Sequence, residues 1–226
     1  MDSQWACAPS GHDSRETQEI IVIGGGGHAR VIISILRKLK KYSIRGYTDE
    51  LDCGELLGIP YLGADKEIAS MTFESAPANA VLAVGQIRLG KLRHSIWSRL
   101  NALPLIFPKI VSPNAIVNED VAMGDAVVVM DGAIINTGAK LGTGVIVNTH
   151  STVEHDVTLA DWVHVAPGAT ISGGTTIGRF SLIGAGATVT EGKSIAAETI
   201  IGAGATVVHD LAEPGVYVGT PARRIK

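Results

Sequence analysis

The sequence predicts two architectures in series: a short α/β unit resembling half of a dinucleotide fold (a β-α-β-α-β half-Rossmann), then a parallel β-helix of hexapeptide repeats. Three observations predict this. From Ala115 to Asp210 the chain divides into sixteen sixes whose third position is always apolar, running from Val117, Met123 and Val129 to Ile201 and Val207. A longer period of 18 overlies the first, since APGAT at 166–170 recurs as GAGAT at 184–188 and again at 202–206. Ahead of the repeats, EIIVIGGGGHARVIISILRKLKK passes from a continuous apolar run through four glycines to helical spacing.

A fixed internal period marks a repeat architecture, and a period of six marks a parallel β-helix. Each side of a triangular coil contributes one aliphatic side chain to a narrow interior, and three sides make an 18-residue turn. Small residues (Ala133, Ala139, Ser151, Ala169, Ser181, Ala187 and Ala205) stand two positions earlier, where that interior is most crowded. Stacked coils pair as parallel strands about 4.8 Å apart, so residues 18 apart form columns. A strand-rich sandwich would alternate with period two and turn at irregular intervals.

Composition narrows the function classes. The 226 residues carry a formal charge of −3 with Lys and Arg dispersed, which leaves no electrostatic footprint for nucleic acid. Cys7 and Cys53 are too few for a disulfide framework and suit a reducing compartment. No apolar run approaches the roughly 18 residues of a membrane helix, and residues 1–18 are polar and mixed, reading as a flexible tail without a signal peptide. The expected organisation is this tail, a ligand-binding α/β unit over 19–108 and the coil over 109–226, in a cytoplasmic protein.

Within the α/β unit, Ile20–Ile23 reads as a buried parallel strand and Gly24–Gly27 as a tight loop. Ala29 to about Lys41 reads as a helix with Val31, Ile35 and Leu39 on one face and basic residues at its end. A glycine loop entering a helix presents bare backbone N–H groups to an anion. Gly24-x-Gly26-x-x-Ala29, followed twenty residues later by Asp49, satisfies the dinucleotide fingerprint. The stretch from Ile20 to Phe107 has room for only half such a fold, so a mononucleotide-sized ligand fits better than NAD; four glycines also read as simple turn chemistry. Strands over Ser43–Thr48, Ala80–Val84 and Leu103–Phe107 and a helix over Lys91–Arg99 complete the unit. Strand ends place ligands in open parallel sheets, so Asp49, Glu50 and Gly85 are expected to converge with Gly26, Gly27 and His28 on one crevice. There a carboxylate could accept hydrogen bonds from a base or ribose, its alternative being a solvated turn.

Four histidines lie in the periodic half: His150, His155, His164 and His209. None takes the inward third position, so they are expected on sides or corners and not as satisfied core residues. His150-x4-His155 resembles the zinc ligands of γ-class carbonic anhydrases, but those need a third histidine about two coils earlier, and none stands between His94 and His150. No metal is expected. General base chemistry suits His155 better, because Glu154 and Asp156 flank it and can hold one ring nitrogen protonated while the other takes a proton. An amine or hydroxyl attacking a thioester must shed a proton, and a histidine near its usual pKa of about 6.5 can accept it at neutral pH. His164 falls half a coil away, on another side of the triangle. Ile146, Trp162, Leu182 and Ile200 face outward, three of them in one column with His164. Left exposed they would promote aggregation, which predicts a trimer whose sides meet across the interface.

At this point the chain from about Glu19 to Arg224 resembles the nucleotide-sugar acetyltransferases, bacterial enzymes that acetylate UDP-4-amino-4,6-dideoxy sugars, with relatives acting on GDP-perosamine or sialic acid. The resemblance rests on IVIGGGGHARV, GYTDE, AVGQIR, VNTHSTVEHDVTLADWVHVAPGATISGG and GVYVGTPARRIK taken together. It implies a left-handed coil, a homotrimer, and acetyl-CoA-dependent N-acetylation of a nucleotide-linked amino sugar for surface glycan biosynthesis, with no metal. It places His155 as general base and Asp156 as its orienting acid, where relatives often carry Glu. It places His164, Gly173, Ala185 and Ala203 against acetyl-CoA, and Gly26, Gly27, His28, Asp49, Glu50, Gly85 and Asn148 against the nucleotide sugar. His150 and the tail have no counterpart in the pattern. Two rivals stay open: a sialic-acid-type O-acetyltransferase, and a binding or scaffold protein that keeps the coil without chemistry.

Overall fold

The structure, a computed structural model, describes residues 17–73, 77–86 and 88–226. The tail expected over 1–18, Cys7 included, lies outside the described residues apart from its last two. β1 (Gln18–Ile23), α1 (Gly27–Leu39), β2 (Tyr42–Thr48), β3 (Ala78–Leu82), α2 (Lys91–Leu100) and β4 (Leu105–Ile106) follow in order, with a 3₁₀ turn over Asp65–Ser70. The four strands form one parallel sheet, β2-β1-β3-β4. The order is thus β-α-β-β-α-β, one strand more than the β-α-β-α-β shorthand. β1 is central, and a parallel strand covered on both faces reads as a continuous apolar run, which is why Ile20 to Ile23 are all buried.

α1 buries Ala29, Ile32, Ile33, Ile35 and Leu36, while Val31 is 39 % exposed. The stripe Val31, Ile35 and Leu39 expected from spacing is therefore rotated. The reason is that α1 has two neighbours: its apolar residues join Ile20 and Val22 of the sheet and also Ile110, Val128 and Ile146 of the coil in a single cluster. A helix pressed from two sides buries more than one stripe.

The coil begins one six earlier than the repeat count, with a strand at Ile110–Val111. It has three faces of stacked two-residue strands. The first runs through Ile110, Val128, Ile146, His164, Leu182 and Ile200, the second through Ile116, Ile134, Thr152, Thr170, Thr188 and Thr206, and the third through Ala122, Lys140, Thr158, Thr176 and Ser194. Fourteen of the sixteen third-position residues are buried; Val117 and Met123, at the open first turn, are not. The seven small residues expected at the crowded position are all 0 % exposed.

The sixth position of every hexapeptide from Asp120 to Gly204 takes a left-handed backbone, φ between 53° and 72°. Glycine, Asp and His suit that conformation; Trp162 and Phe180 do not, and an L-residue held there costs roughly 1–2 kcal/mol. Both lie buried against α2, in a cluster with Ile96, Trp97 and Phe107 that offsets the strain. The α/β unit thus covers the first face and the corner before it. Ile146, Trp162 and Leu182 are only 0 %, 3 % and 8 % exposed, and Ile200 is half-buried. The outward apolar column finds its cover within its own chain, so avoidance of aggregation does not by itself call for a second copy.

Candidate active site

Where α1 meets the first face, a cavity of about 650 Å³ is walled by Gly27, His28, Val31 and Gly85 on one side. Asn148, His164, Leu182, Ala185, Ile200 and Ala203 wall it on the other. The N-terminus of α1 opens into it: Gly26 caps the helix without a side-chain hydrogen bond, and no acid stands in the first turn. Its leading N–H groups remain available to an anion.

His164 departs from expectation. It faces outward from the coil, yet it is 5 % exposed and fully satisfied, because the α/β unit closes over it. Its Nδ1 lies 3.1 Å from the Gln86 carbonyl and its Nε2 lies 3.0 Å from Asn148 Nδ2. A carbonyl only accepts, so Nδ1 carries the proton. Asn148 Oδ1 accepts from the Thr149 N–H at 2.8 Å, leaving Nδ2 as the donor to Nε2. Burial, with the Arg93 guanidinium and then His28 adding repulsion, pushes the His164 pKa down to about 3. Burial and then Arg93 likewise push His28 down to about 4. Both rings are neutral at physiological pH.

The single crevice expected for the acids and the glycine loop is in fact two. Asp49 and Glu50 line a second cavity of about 410 Å³ with Gly24, Asp65, Val84, Ser95 and Arg99. Gly24, packed closely on Ala83 and Val84, lines the second space and not the first. Asp49 still serves the loop, its Oδ2 accepting from the Gly25 N–H at 2.6 Å.

His155 and Asp156 stand at the corner between the second and third faces, a whole face away from His164, and line neither cavity. His155 Nδ1 is 2.9 Å from Asp156 Oδ2, and both side chains are largely exposed. That hydrogen bond raises the His155 pKa above the usual value, with the Asp156, Glu154 and Glu191 charges adding to it. Gly173 belongs to this corner and not to the cavity. One chain therefore presents the assigned residues as three groups: dyad with Gly173, cavity with His164, and acid pocket.

Comparison with known proteins decides what these groups belong to. Residues 19–100 match the PglD N-terminal domain. The acetyltransferase domain of PglB from Neisseria gonorrhoeae FA1090, solved in complex with acetyl coenzyme A, superposes with a TM-score of 0.86 at 33 % identity, over 92 % of this chain and 100 % of that one. PerB from Caulobacter crescentus, solved with CoA and GDP-perosamine, superposes at 0.85 with 31 % identity over 92 % and 97 %. WeeI from Acinetobacter baumannii AYE shares the fold at 23 % identity, over 92 % and 100 %, with a TM-score of 0.82. No curated protein matches.

The chain belongs to the PglD-like sugar N-acetyltransferases. As a member of that family it is an acyltransferase that uses acetyl-CoA, built as a parallel α/β domain on a β-helix. Two residues of this N-acetyltransferase escaped the sequence reading. Gln86 holds His164 through its backbone carbonyl, a contact no side-chain pattern announces. Arg93 is 1 % exposed, donates through Nη1 to the Gly144 carbonyl at 2.8 Å and lies 5.4 Å over the Trp162 ring, though as a basic residue in a helix it reads as solvated. Among the described residues no three His, Cys, Asp or Glu gather as a metal set, and no helix is long and apolar enough to cross a membrane.

Proposed function

We infer that this enzyme transfers the acetyl group of acetyl-CoA to the C4 amine of a nucleotide-linked 4-amino-4,6-dideoxy sugar, with His155 as general base, in surface glycan biosynthesis. The observation that carries the reading is the 650 Å³ cavity, which joins an open helix N-terminus to the coil column of His164, Ala185 and Ala203. An anionic sugar nucleotide and a thioester arm can meet there. Gly26, Gly27 and His28 take the pyrophosphate or sugar, Gly85 lies against the nucleotide, and Asp49 and Glu50 read the base from the adjoining pocket. Asn148 contacts the sugar. Acetyl-CoA lies along His164, Ala185 and Ala203 and reaches Gly173. PerB, with its CoA and GDP-perosamine, supports this pairing of ligands.

The neutral amine attacks the thioester carbonyl, forming the C–N bond, and its proton passes to His155 Nε2. The tetrahedral intermediate collapses, the C–S bond breaks, and the CoA thiolate leaves and takes the proton. Asp156 keeps Nδ1 protonated, so that Nε2 holds the free lone pair. Because the dyad and the cavity lie a face apart in one chain, the complete site is formed in a homotrimer, where the dyad corner of one copy meets the cavity of the next.

The test is thiol release from acetyl-CoA with a panel of UDP-, dTDP- and GDP-linked 4-amino-4,6-dideoxy sugars and free sialic acid. Turnover of one nucleotide sugar is expected and names the base. Turnover of the free sugar alone moves the protein to O-acetylation, and silence throughout leaves the scaffold reading standing.

A further inference from the structure

The dyad corner carries a feature that the reaction just described does not use. His155 and Asp156 are each seated on a glycine one full turn away, on opposite sides. A methyl group at Gly173, 18 residues on, would lie 2.5 Å from His155 Nε2, 2.7 Å from Cε1 and 3.1 Å from Cδ2. A methyl group at Gly138, 18 residues back, would lie 2.6 Å from Asp156 Oδ1. Carbon contacts are at their best near 3.5–4.0 Å, so neither position has room for a side chain while the dyad keeps its place.

The backbone cannot yield instead. The Gly174 N–H donates to the His155 carbonyl at 2.9 Å, and the Asp156 N–H donates to the Thr137 carbonyl at 3.1 Å. The Gly192 N–H holds the Gly173 carbonyl at 2.9 Å from the turn beyond. These bonds belong to the stacked corners and fix the three levels against one another. Gly138 has a left-handed backbone that glycine suits for its own sake, but Gly173 has none, and within the chain it is the approach of the His155 ring that leaves no room for a side chain there.

We propose that Gly138 and Gly173 form a two-sided socket that sets the position of the His155–Asp156 dyad, and that Gly173 is a positioning residue for the base through the side chain it lacks. The inference rests on His155 being the base. It assigns Gly173 a task distinct from the backbone contact with acetyl-CoA. A methyl at 173 pushes the ring out toward solvent, where it is already half exposed, and breaks the 2.9 Å bond to Asp156 without disturbing the coil interior.

The experiment is a double-mutant cycle of Gly173→Ala and His155→Ala in the full chain, read by kinetics, thermal unfolding and NMR titration of His155. Gly173→Ala alone should lower kcat by about 10- to 100-fold, the scale of a 1 Å misplacement. The His155 titration should move down toward the ordinary histidine value. In the His155→Ala background the ring is gone, so adding Gly173→Ala should leave stability unchanged; this holds even if the single variant folds poorly. An unchanged His155 titration in Gly173→Ala overturns the proposal. So does a loss of thermal stability from Gly173→Ala that is as large in the His155→Ala background as in the native one, because the added methyl then clashes with something other than the ring. The NMR and stability readings need no turnover, so they separate failure of the socket from failure of the proposed reaction.

Discussion

His155 and His164 are nine residues apart on one coil, yet their proton chemistry is opposite. His155 stands at an open corner, held by a carboxylate that raises its affinity for a proton. His164 lies under the α/β unit, between a carbonyl and an amide, and stays neutral down to about pH 3. Both come from the same repeat and occupy non-interior positions. What separates them is which side of the triangle the first domain covers. A repeat scaffold thus offers many outward places, a corner for His155 and a strand for His164, and a neighbour laid on one side sharpens their chemical difference.

The largest way to break this contrast is to loosen the cover. Trp162 packs 5.5 Å from Trp97 and 5.4 Å from His94 between the domain and the coil. Trp162→Ala is expected to cost about 3–5 kcal/mol in urea unfolding and to let His164 titrate closer to an ordinary histidine. The next effect in size falls on the open corner. His155→Ala should lower kcat by about 10²-fold or more; unchanged turnover removes His155 from the role of base.

Acid stability sharpens the comparison from the covered side. His28 and His164 have folded pKa values of about 4 and about 3, below the unfolded value of 6.5. The unfolded chain therefore binds more protons between those limits. Their contribution to stability is present above pH 6.5 and is lost as pH falls toward 3. His164→Asn, which cannot titrate, should flatten the decline in a series of denaturant midpoints across that range. The smallest effect concerns the raised pKa of His155. With His155 as the proposed base, activity should rise with pH along a limb lying above 6.5. Asp156→Asn removes the carboxylate and should slide that limb to lower pH, with a smaller loss of kcat than His155→Ala; an unmoved limb would mean that Asp156 does not set it.

The coil was legible residue by residue because each six obeys one local rule, an apolar third position, reinforced in many sixes by a small first one. The glycine loop at Gly24–Gly27 and the strand at Ile20–Ile23 were legible for the same reason. What escaped reading depends on non-local contact. The buried face of α1 turned because the coil presses on it, and Asp49 and His28 line different cavities. His164 proved satisfied because Gln86 reaches it from 78 residues away. Gly173 was legible as a residue placed against acetyl-CoA, but its packing against the His155 ring, one turn away, was not.

The even spacing of the coil constrains how this chain can change its length. Gly138 and Asp156, His155 and Gly173, and Ala185 and Ala203 are partners only because 18 residues separate each pair. Losing one residue between His155 and Gly173 would turn every later strand inside out, since neighbouring side chains point to opposite faces, and would pull the socket from under the base. A block of 18 inserted above Ala203 would add a turn and leave the dyad as it was. Whole turns are thus the unit by which the stacked strands can be lengthened or shortened while every column stays in register.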